Sequence, residues 1–381
     1  MNSKKWVKIW LLSFLIITFL INIFNYIVDP YDIYNHNLVS KMKIQQSDKI
    51  RLIKVLKIKQ IKPKSICLGT SRAEFGYNPD HKYFTKPSYN AAISGATMYE
   101  TKLNLKWAIA QGNLKQVLLV LDYRMLDRNR QKYISDFESY YDVSTQLKAL
   151  LFNITILKDS LITLINNKHN NATGFYHSNG QRDPIGREFT LSKNGGHLNV
   201  MKKKEKTYFN TASSSYIYQD TKLNSFNDFN EFIEICYQNN IDLDIIFGPS
   251  HIRLWESFNY FLGFDRFLRW KKDIVVAVNE IAKQYHKPVF RIMDFSVYHA
   301  LTAEKVPVEK SSRMKYHWET SHYKSELGEI VLDRLINESK YKDFGIELTI
   351  DNIDEHLIRQ SFNRKKYIDT DLYISEVFGN K

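Results

Sequence analysis

Lys115-Gln116-Val117-Leu118-Leu119-Val120-Leu121-Asp122 is the stretch that decides the fold. Its Val and Leu run is unbroken, bounded by polar residues, and lacks the three-to-four-residue spacing of an amphipathic helix. A strand apolar on both sides is buried on both sides, as inside a parallel sheet covered by helices. Working outward, Ser65 to Leu68 is a similar short run ending at Gly69-Thr70-Ser71-Arg72. Ser88 to Ile93 is another, followed by a helical stretch from Thr97 to Gln111. Ile241 to Phe247 follows a helix ending near Asn239-Asn240, and Lys287 to Met293 follows a long helical stretch from Leu254 to Tyr285. This alternation predicts an α/β fold with a doubly wound, five-stranded, mainly parallel sheet. In such sheets ligands lie beyond the carboxyl ends of the strands.

The stretch 124–225 breaks the rhythm. It holds Tyr133, Tyr140 and Tyr141, an apolar helix candidate from Leu147 to Ile165, and a polar loop rich in Asn, Gly and His. It is too long for a connection between two strands and is expected to be an inserted lid. At the N-terminus, Trp6 to Val28 is almost continuously apolar, with Lys4, Lys5 and Lys8 before or at its start and Asp29 and Asp32 after it. That length suits a transmembrane helix, and the lysines place the N-terminus in the cytoplasm and the body outside. A cleavable signal peptide is the competing reading, but the exit Asn25-Tyr26-Ile27-Val28-Asp29-Pro30 lacks the small residues of a cleavage site. The expected division is an anchor over 1–28, a juxtamembrane segment over 29–63, the α/β domain over 64–338 and a C-terminal extension over 339–381. Within 29–63, residues 45–61 have the period of a basic amphipathic helix, either solvated on its basic face or resting on head groups.

The 54 Lys and Arg residues against 41 Asp and Glu give a net charge of +13, which favours anionic partners: nucleic acid, lipid head groups or an acidic polymer. The charge is spread along the chain with no basic arm and no zinc-finger spacing, so nucleic acid is not the expected partner. Cys67 and Cys236 both sit in apolar runs, which excludes a disulfide framework and a cysteine-rich metal site.

Three places carry candidate chemistry. Ser71 follows a buried strand and a glycine, where a side chain stands over the sheet edge and helix-start N–H groups face an oxyanion; an ordinary helix N-cap is the other reading. Gly95, in Asn90-Ala91-Ala92-Ile93-Ser94-Gly95-Ala96-Thr97, offers an N–H at a second strand end, or simply serves the turn. In His317-Trp318-Glu319-Thr320-Ser321-His322-Tyr323, a carboxylate three residues before a histidine can hold its Nδ1–H and leave Nε2 free to take a proton from serine. The spacing of His317 and His322 also suits zinc, but no third ligand stands at a recognisable spacing, and neither metal nor cofactor is expected.

In that order, serine, glycine and acid-x-x-His resemble the SGNH (GDSL-like) hydrolase family over roughly Lys64 to Ile336. The opening block is matched by Ile66-Cys67-Leu68-Gly69-Thr70-Ser71, with Thr70 where many members have Asp; the closing Asp-x-x-His block looks like Glu319-Thr320-Ser321-His322. The layout is similar to membrane-anchored bacterial members associated with cell-surface polysaccharides, which share the single span, an Asp-Pro after it (Asp29-Pro30), a large insertion, and features like Phe247-Gly248-Pro249-Ser250-His251 and Asp294-Phe295. The resemblance implies an SGNH/flavodoxin-like sheet, Ser71 as nucleophile, His322 as base, Glu319 as its orienting acid, and an oxyanion hole from the Ser71 and Gly95 N–H groups. The third block usually adds an Asn from Gly-x-Asn-Asp; here the strand end reads Val120-Leu121-Asp122-Tyr123-Arg124, and Arg72 or Arg124 is the available stand-in. Arg72, Asn90, Asp122, Arg124 and His251 are candidate substrate contacts, with a loop histidine of no catalytic role as the alternative for His251.

The implied function is a serine-dependent acyl-ester hydrolase or O-acyltransferase at the extracytoplasmic side of a bacterial inner membrane. Its substrate would be an anionic glycan or acylated polysaccharide, and a multi-span membrane protein would deliver activated acyl groups. A catalytically inactive glycan-binding or assembly protein on the same scaffold is the alternative.

Overall fold

A computed structural model describes residues 3–34, 36, 38–39, 42–127, 137–151, 154–168 and 175–379. Tyr133, expected in the insertion, lies outside the described residues. In chain order the helices and strands are α1 (Ser3–Val28), α2 (Ile50–Ile61), β1 (Ser65–Leu68), α3 (Ser71–Gly76), β2 (Ser88–Asn90), α4 (Met98–Ala110), β3 (Gln116–Leu121), α5 (Val143–Leu151), α6 (Ile154–Lys168), α7 (Ile185–Lys193), α8 (His197–Glu205), α9 (Ser225–Gln238), β4 (Asp242–Phe247), α10 (Ile252–Leu262), α11 (Phe264–Tyr285), β5 (Arg291–Asp294), α12 (Ser325–Leu335), β6 (Ile346–Glu347), α13 (Ile353–Tyr367) and α14 (Thr370–Phe378).

The chain divides into two compact units, 1–57 with 136–178, and 58–135 with 179–381. The expected insertion 124–225 is therefore split: 136–178 belongs with the N-terminal segment, while 179–225 belongs with the sheet. In the smaller unit α1 is long and apolar enough to cross a membrane or act as a signal sequence, with a mean hydropathy of 2.2 and an exposed apolar window. Asp29 closes the turn after it by accepting from the Ile33 N–H at 2.7 Å and the Tyr34 N–H at 3.1 Å. Asn25 accepts from Ser160 of α6 at 2.9 Å, and Tyr31 donates to Asp159. Two lysines of the basic face expected over 45–61 are turned inward, while Lys49 and Lys59 stay exposed. Lys54 and Lys57 are buried, Lys57 pairs with Asp32 at 2.8 Å, and Lys54 stands 4.9 Å from the Tyr176 ring centre. These partners offset the cost of taking ammonium groups out of water.

In the larger unit the sheet is α/β and mixed, in the order β2-β1-β3-β4-β5-β6. It has six strands, not five: β1 to β5 run parallel, and β6 pairs antiparallel with β5 through Met293–Glu347 and Asp294–Ile346. Two exposed residues in a charged tail carry no period-two signal, which is why β6 escapes a reading by pattern.

Alternation along the strands divides the core. Ile66, Val117, Leu119, Ile245 and Phe247 pack with α4, α9 and α11, while Cys67, Leu118, Val120, Ile246 and Met293 pack with residues of α3 and α12. The extension 339–381 belongs to this unit: His356 meets Asp294 at 2.8 Å, Arg364 holds Glu256 at 2.7 Å, and Glu376 meets Arg253 at 3.1 Å. Because β1 to β5 are parallel, Leu68, Asn90, Leu121, Phe247 and Asp294 end on one edge, and the loops beyond them converge there.

Candidate active site

Two close approaches place Ser71. Gly69 has φ +151°, and a Cβ there would lie 2.8 Å from the Val120 carbonyl, so only glycine lets the β1 turn press against β3. At the other end of α3, a Cβ on Gly328 would lie 1.7 Å from the Gly76 carbonyl, so α3 and α12 touch backbone to backbone. The N-cap of α3 is Thr70, and Ser71 is its first residue. The N-cap reading of Ser71 is thereby replaced: its O–H donates to His322 Nε2 at 2.7 Å.

His322 reaches that position through a closed turn. The His322 carbonyl accepts from the Trp318 N–H at 2.9 Å, and His317 bridges to Tyr323. Folding the chain back over four residues brings the Glu319 carboxylate onto His322 Nδ1, in a short hydrogen bond. The second Glu319 oxygen accepts from the Ser321 N–H at 3.0 Å, and Ser250 beyond β4 holds the Ser321 carbonyl at 2.9 Å. A carboxylate on Nδ1 keeps the proton there and leaves the Nε2 lone pair for serine. Burial pulls the His322 pKa down to about 3, with the Arg187 charge acting in the same direction and Glu319 opposing. Burial alone would raise the Glu319 carboxyl, but His322, Lys204 and Arg187 hold it well below the usual carboxylate range.

The second block lies alongside the first. The Ala91 N–H donates to the Cys67 carbonyl at 2.8 Å and the Ile93 N–H to the Gly69 carbonyl at 3.0 Å, which brings Gly95 to the loop that carries Ser71. Among the described residues neither the Ser71 nor the Gly95 N–H donates a hydrogen bond. Asn90, in contrast, is committed to structure. Its amide holds the Ala73 and Tyr77 carbonyls at 2.9 and 2.8 Å and accepts from the Ala92 N–H, fastening α3 to β2 rather than facing a substrate.

Several other expected contacts are likewise occupied. Asp122 accepts from Thr70 Oγ1 at 3.1 Å and from the Arg124 N–H at 3.0 Å, and pairs with Arg72 at 2.9 Å. Arg72 also donates to the Tyr208 hydroxyl at 2.8 Å, while Arg124 donates to the Tyr208 carbonyl at 3.0 Å and pairs with Asp127 at 3.2 Å. Neither arginine reaches Ser71 or His322, so neither takes the place of the absent Asn. His251 is an N-cap: Nδ1 accepts from the Arg253 N–H at 3.2 Å and Nε2–H donates to the Glu304 carbonyl at 2.8 Å. His317 bonds Glu304 and the Pro249 carbonyl, not a ligand shared with His322. Asp294 caps the turn at Ser296 and pairs with buried Lys271 at 2.7 Å.

The segment 179–225 adds residues that no local pattern signals. The Arg187 guanidinium, from α7, donates to His322 Nε2 at 3.2 Å and lies 4.7 Å from the Phe75 ring centre. Phe75 also meets the His322 ring edge-on at 5.6 Å. Lys204, from α8, stands 4.9 Å from the Tyr208 ring centre, and its charge acts on both Glu319 and His322. Glu74, fully buried one turn after Ser71, accepts from the Ser94 N–H at 2.9 Å and pairs with Arg182 at 3.5 Å, tying the Gly95 loop and 179–225 to α3. The only hint in the sequence is the charge density of Arg182 to Lys206.

A cavity of about 600 Å³ lies at the opposite edge, against the strand starts Gln116, Asp242 and Arg291, away from these groups. No protein-family model matches the chain, and no curated protein matches it.

Proposed function

We propose that the chain is a membrane-anchored, serine-dependent acyl-ester hydrolase or O-acyltransferase of SGNH type. The observation that carries this reading is the line from Ser71 Oγ through His322 to Glu319, made by residues 251 positions apart in the chain. A hydroxyl on the free nitrogen of an imidazole whose other nitrogen is held by a carboxylate is the arrangement that activates serine. In the first step Oγ bonds to the ester carbonyl carbon as its proton passes to Nε2, and the carbonyl oxygen takes up negative charge toward the Ser71 and Gly95 N–H groups. The intermediate collapses as the C–O bond to the alcohol breaks and the alcohol takes the proton from Nε2. The acyl-serine is then attacked by water, or by a sugar hydroxyl, whose proton returns through Nε2.

The doubly wound reading is supported by the order β2-β1-β3-β4-β5 and by helices packed on both alternating faces. An extracytoplasmic site on a bacterial inner membrane is supported by the lysines in the first turns of α1. Net charge +13 supports an anionic glycan or acylated polysaccharide as substrate, with a multi-span membrane protein as acyl donor. One observation favours the inactive, glycan-binding alternative: where a third oxyanion donor is expected, Asp122 is engaged with Arg72.

The test is intact mass of the full chain in detergent after a fluorophosphonate probe, beside Ser71→Ala. One adduct on the wild type and none on the variant is the expected result. No adduct on folded wild-type protein overturns the serine mechanism and leaves the glycan-binding alternative.

A further inference from the structure

Resting on the acyl-transfer reading, we propose that Arg187 and Lys204 form an anion-binding subsite on the imidazole side of Ser71, so that the alcohol component of the ester carries a carboxylate or phosphate close to the acylated oxygen.

The direction of proton transfer fixes which part of the substrate they meet. The oxygen that leaves, or that accepts the acyl group, must come within hydrogen-bond reach of His322 Nε2, since that atom gives or takes its proton. Arg187 Nη2 already lies 3.2 Å from Nε2. The guanidinium thus stands beside the alcohol and not beside the acyl chain or the oxyanion, which points toward the backbone N–H groups. Lys204 adds a second cation: among the described residues its Nζ has no carboxylate partner and no hydrogen-bond acceptor. The neighbouring cations are differently placed, with Arg72 on Asp122, Arg124 on Asp127 and Arg182 on Glu74. The charges of Arg187 and Lys204 both act on Glu319 and on His322, and Glu319 is committed to His322.

A second argument comes from the reaction itself. Nε2 has one lone pair, taken by the Ser71 O–H at 2.7 Å, and the Arg187 donor competes for it. When Nε2 accepts the serine proton, the lone pair is gone and imidazolium faces guanidinium, which raises the barrier. An anion on the alcohol relieves this by pairing with the guanidinium as the imidazole becomes charged. A neutral alcohol leaves the two cations opposed.

The test compares 3-acetoxybenzoate with its methyl ester, two acetyl esters differing in one carboxylate, on the full chain in detergent. Each rate is divided by that of the reaction with hydroxide. The wild type is expected to prefer the carboxylate by about tenfold or more in kcat/KM, the range of a charge-assisted hydrogen bond. That ratio is expected to fall toward one in Arg187→Gln and in Lys204→Met. An unchanged ratio in both variants, or no wild-type preference, overturns the subsite. A second measurement needs no turnover: calorimetric titration of Ser71→Ala protein with 3-hydroxybenzoate, phenyl phosphate and phenol. Binding of either anion but not phenol, lost when Arg187→Gln is added, supports the subsite and says which anion it takes; no anion binding overturns it. Anion binding without a fluorophosphonate adduct on wild type would remove the acyl-transfer reading and keep the subsite. Labelled Ser71 with equal turnover of both esters would do the reverse.

Discussion

Ser71 Oγ lies 2.7 Å from His322 Nε2, and this contact depends on which His322 nitrogen carries the proton. Glu319 decides that by accepting from Nδ1–H. In Glu319→Gln the side-chain amide can donate to Nδ1 and move the proton to Nε2, where it blocks the serine. The expected loss is about 10⁴-fold in kcat, the cost of the wrong tautomer in a serine triad, with the fold kept. Ester turnover alongside circular dichroism checks it; a loss under tenfold would mean that Glu319 is not orienting the base.

Asp122 stands where a third oxyanion donor is expected, but its contacts are structural. It is the carboxylate partner of Arg72, and both side chains are buried. Asp122→Ala strands the guanidinium and is expected to cost about 3–5 kcal/mol. Asp122→Asn keeps one oxygen to accept from the Arg124 N–H and turns an NH2 toward Thr70 Oγ1, and is expected to cost less. Urea unfolding of the wild type and both variants checks this, and a loss under about 1 kcal/mol in Asp122→Ala would remove the pairing argument.

How far the site can be read from the chain depends on how locally each part is built. Ser71, Gly95 and the Glu319–His322 turn are legible because each is a strand end or turn whose own neighbours shape it. The strands β1, β3 and β4 are legible for the same reason, as apolar runs buried on both faces. Arg187 and Lys204 are not: they sit in polar helices, and only the packing of 179–225 on the sheet gives them a place. Lys54 and Lys57 mislead in the opposite sense. Their spacing describes a basic face, yet partners distant in sequence, Tyr176 and Asp32, draw these two side chains inward. Asn90 and His251 look like substrate contacts because a polar residue at a strand end fits either use, and only their hydrogen-bond partners decide.

Arg187 has a consequence for pH as well as for substrate choice. A neighbouring cation disfavours the imidazolium, so removing it raises the His322 pKa. The base form is needed for turnover, so activity is lost as pH falls through that pKa. In the wild type the acid limb of kcat/KM is therefore expected well below pH 6.5, and in Arg187→Gln it moves to higher pH. A pH–rate profile on methyl 3-acetoxybenzoate checks this. An acid limb at the same pH in both proteins would place Arg187 away from His322 in solution.

The carboxylate of Asp294 links the end of β5 to Lys271 of α11 and His356 of α13. Burial alone would raise its pKa, but the Lys271 charge and the His356 contact hold it well below the usual carboxylate range. The sign follows from proton uptake. Below about pH 4, the ordinary value for an unfolded aspartate, the unfolded chain binds a proton that the folded chain does not. This group's stabilisation is thus complete above that pH and lost progressively as pH falls toward the depressed folded value. Asp294→Asn removes the dependence and leaves Lys271 buried without its charge partner, at an expected cost of about 3–5 kcal/mol near neutrality. Melting midpoints of both proteins from pH 3 to 7 test the two parts together: the gap is expected to be widest near pH 7 and to narrow toward pH 3. A gap constant across that range would mean that folding leaves the Asp294 pKa unchanged, and one that widens toward pH 3 would mean that the carboxyl is protonated in the folded protein.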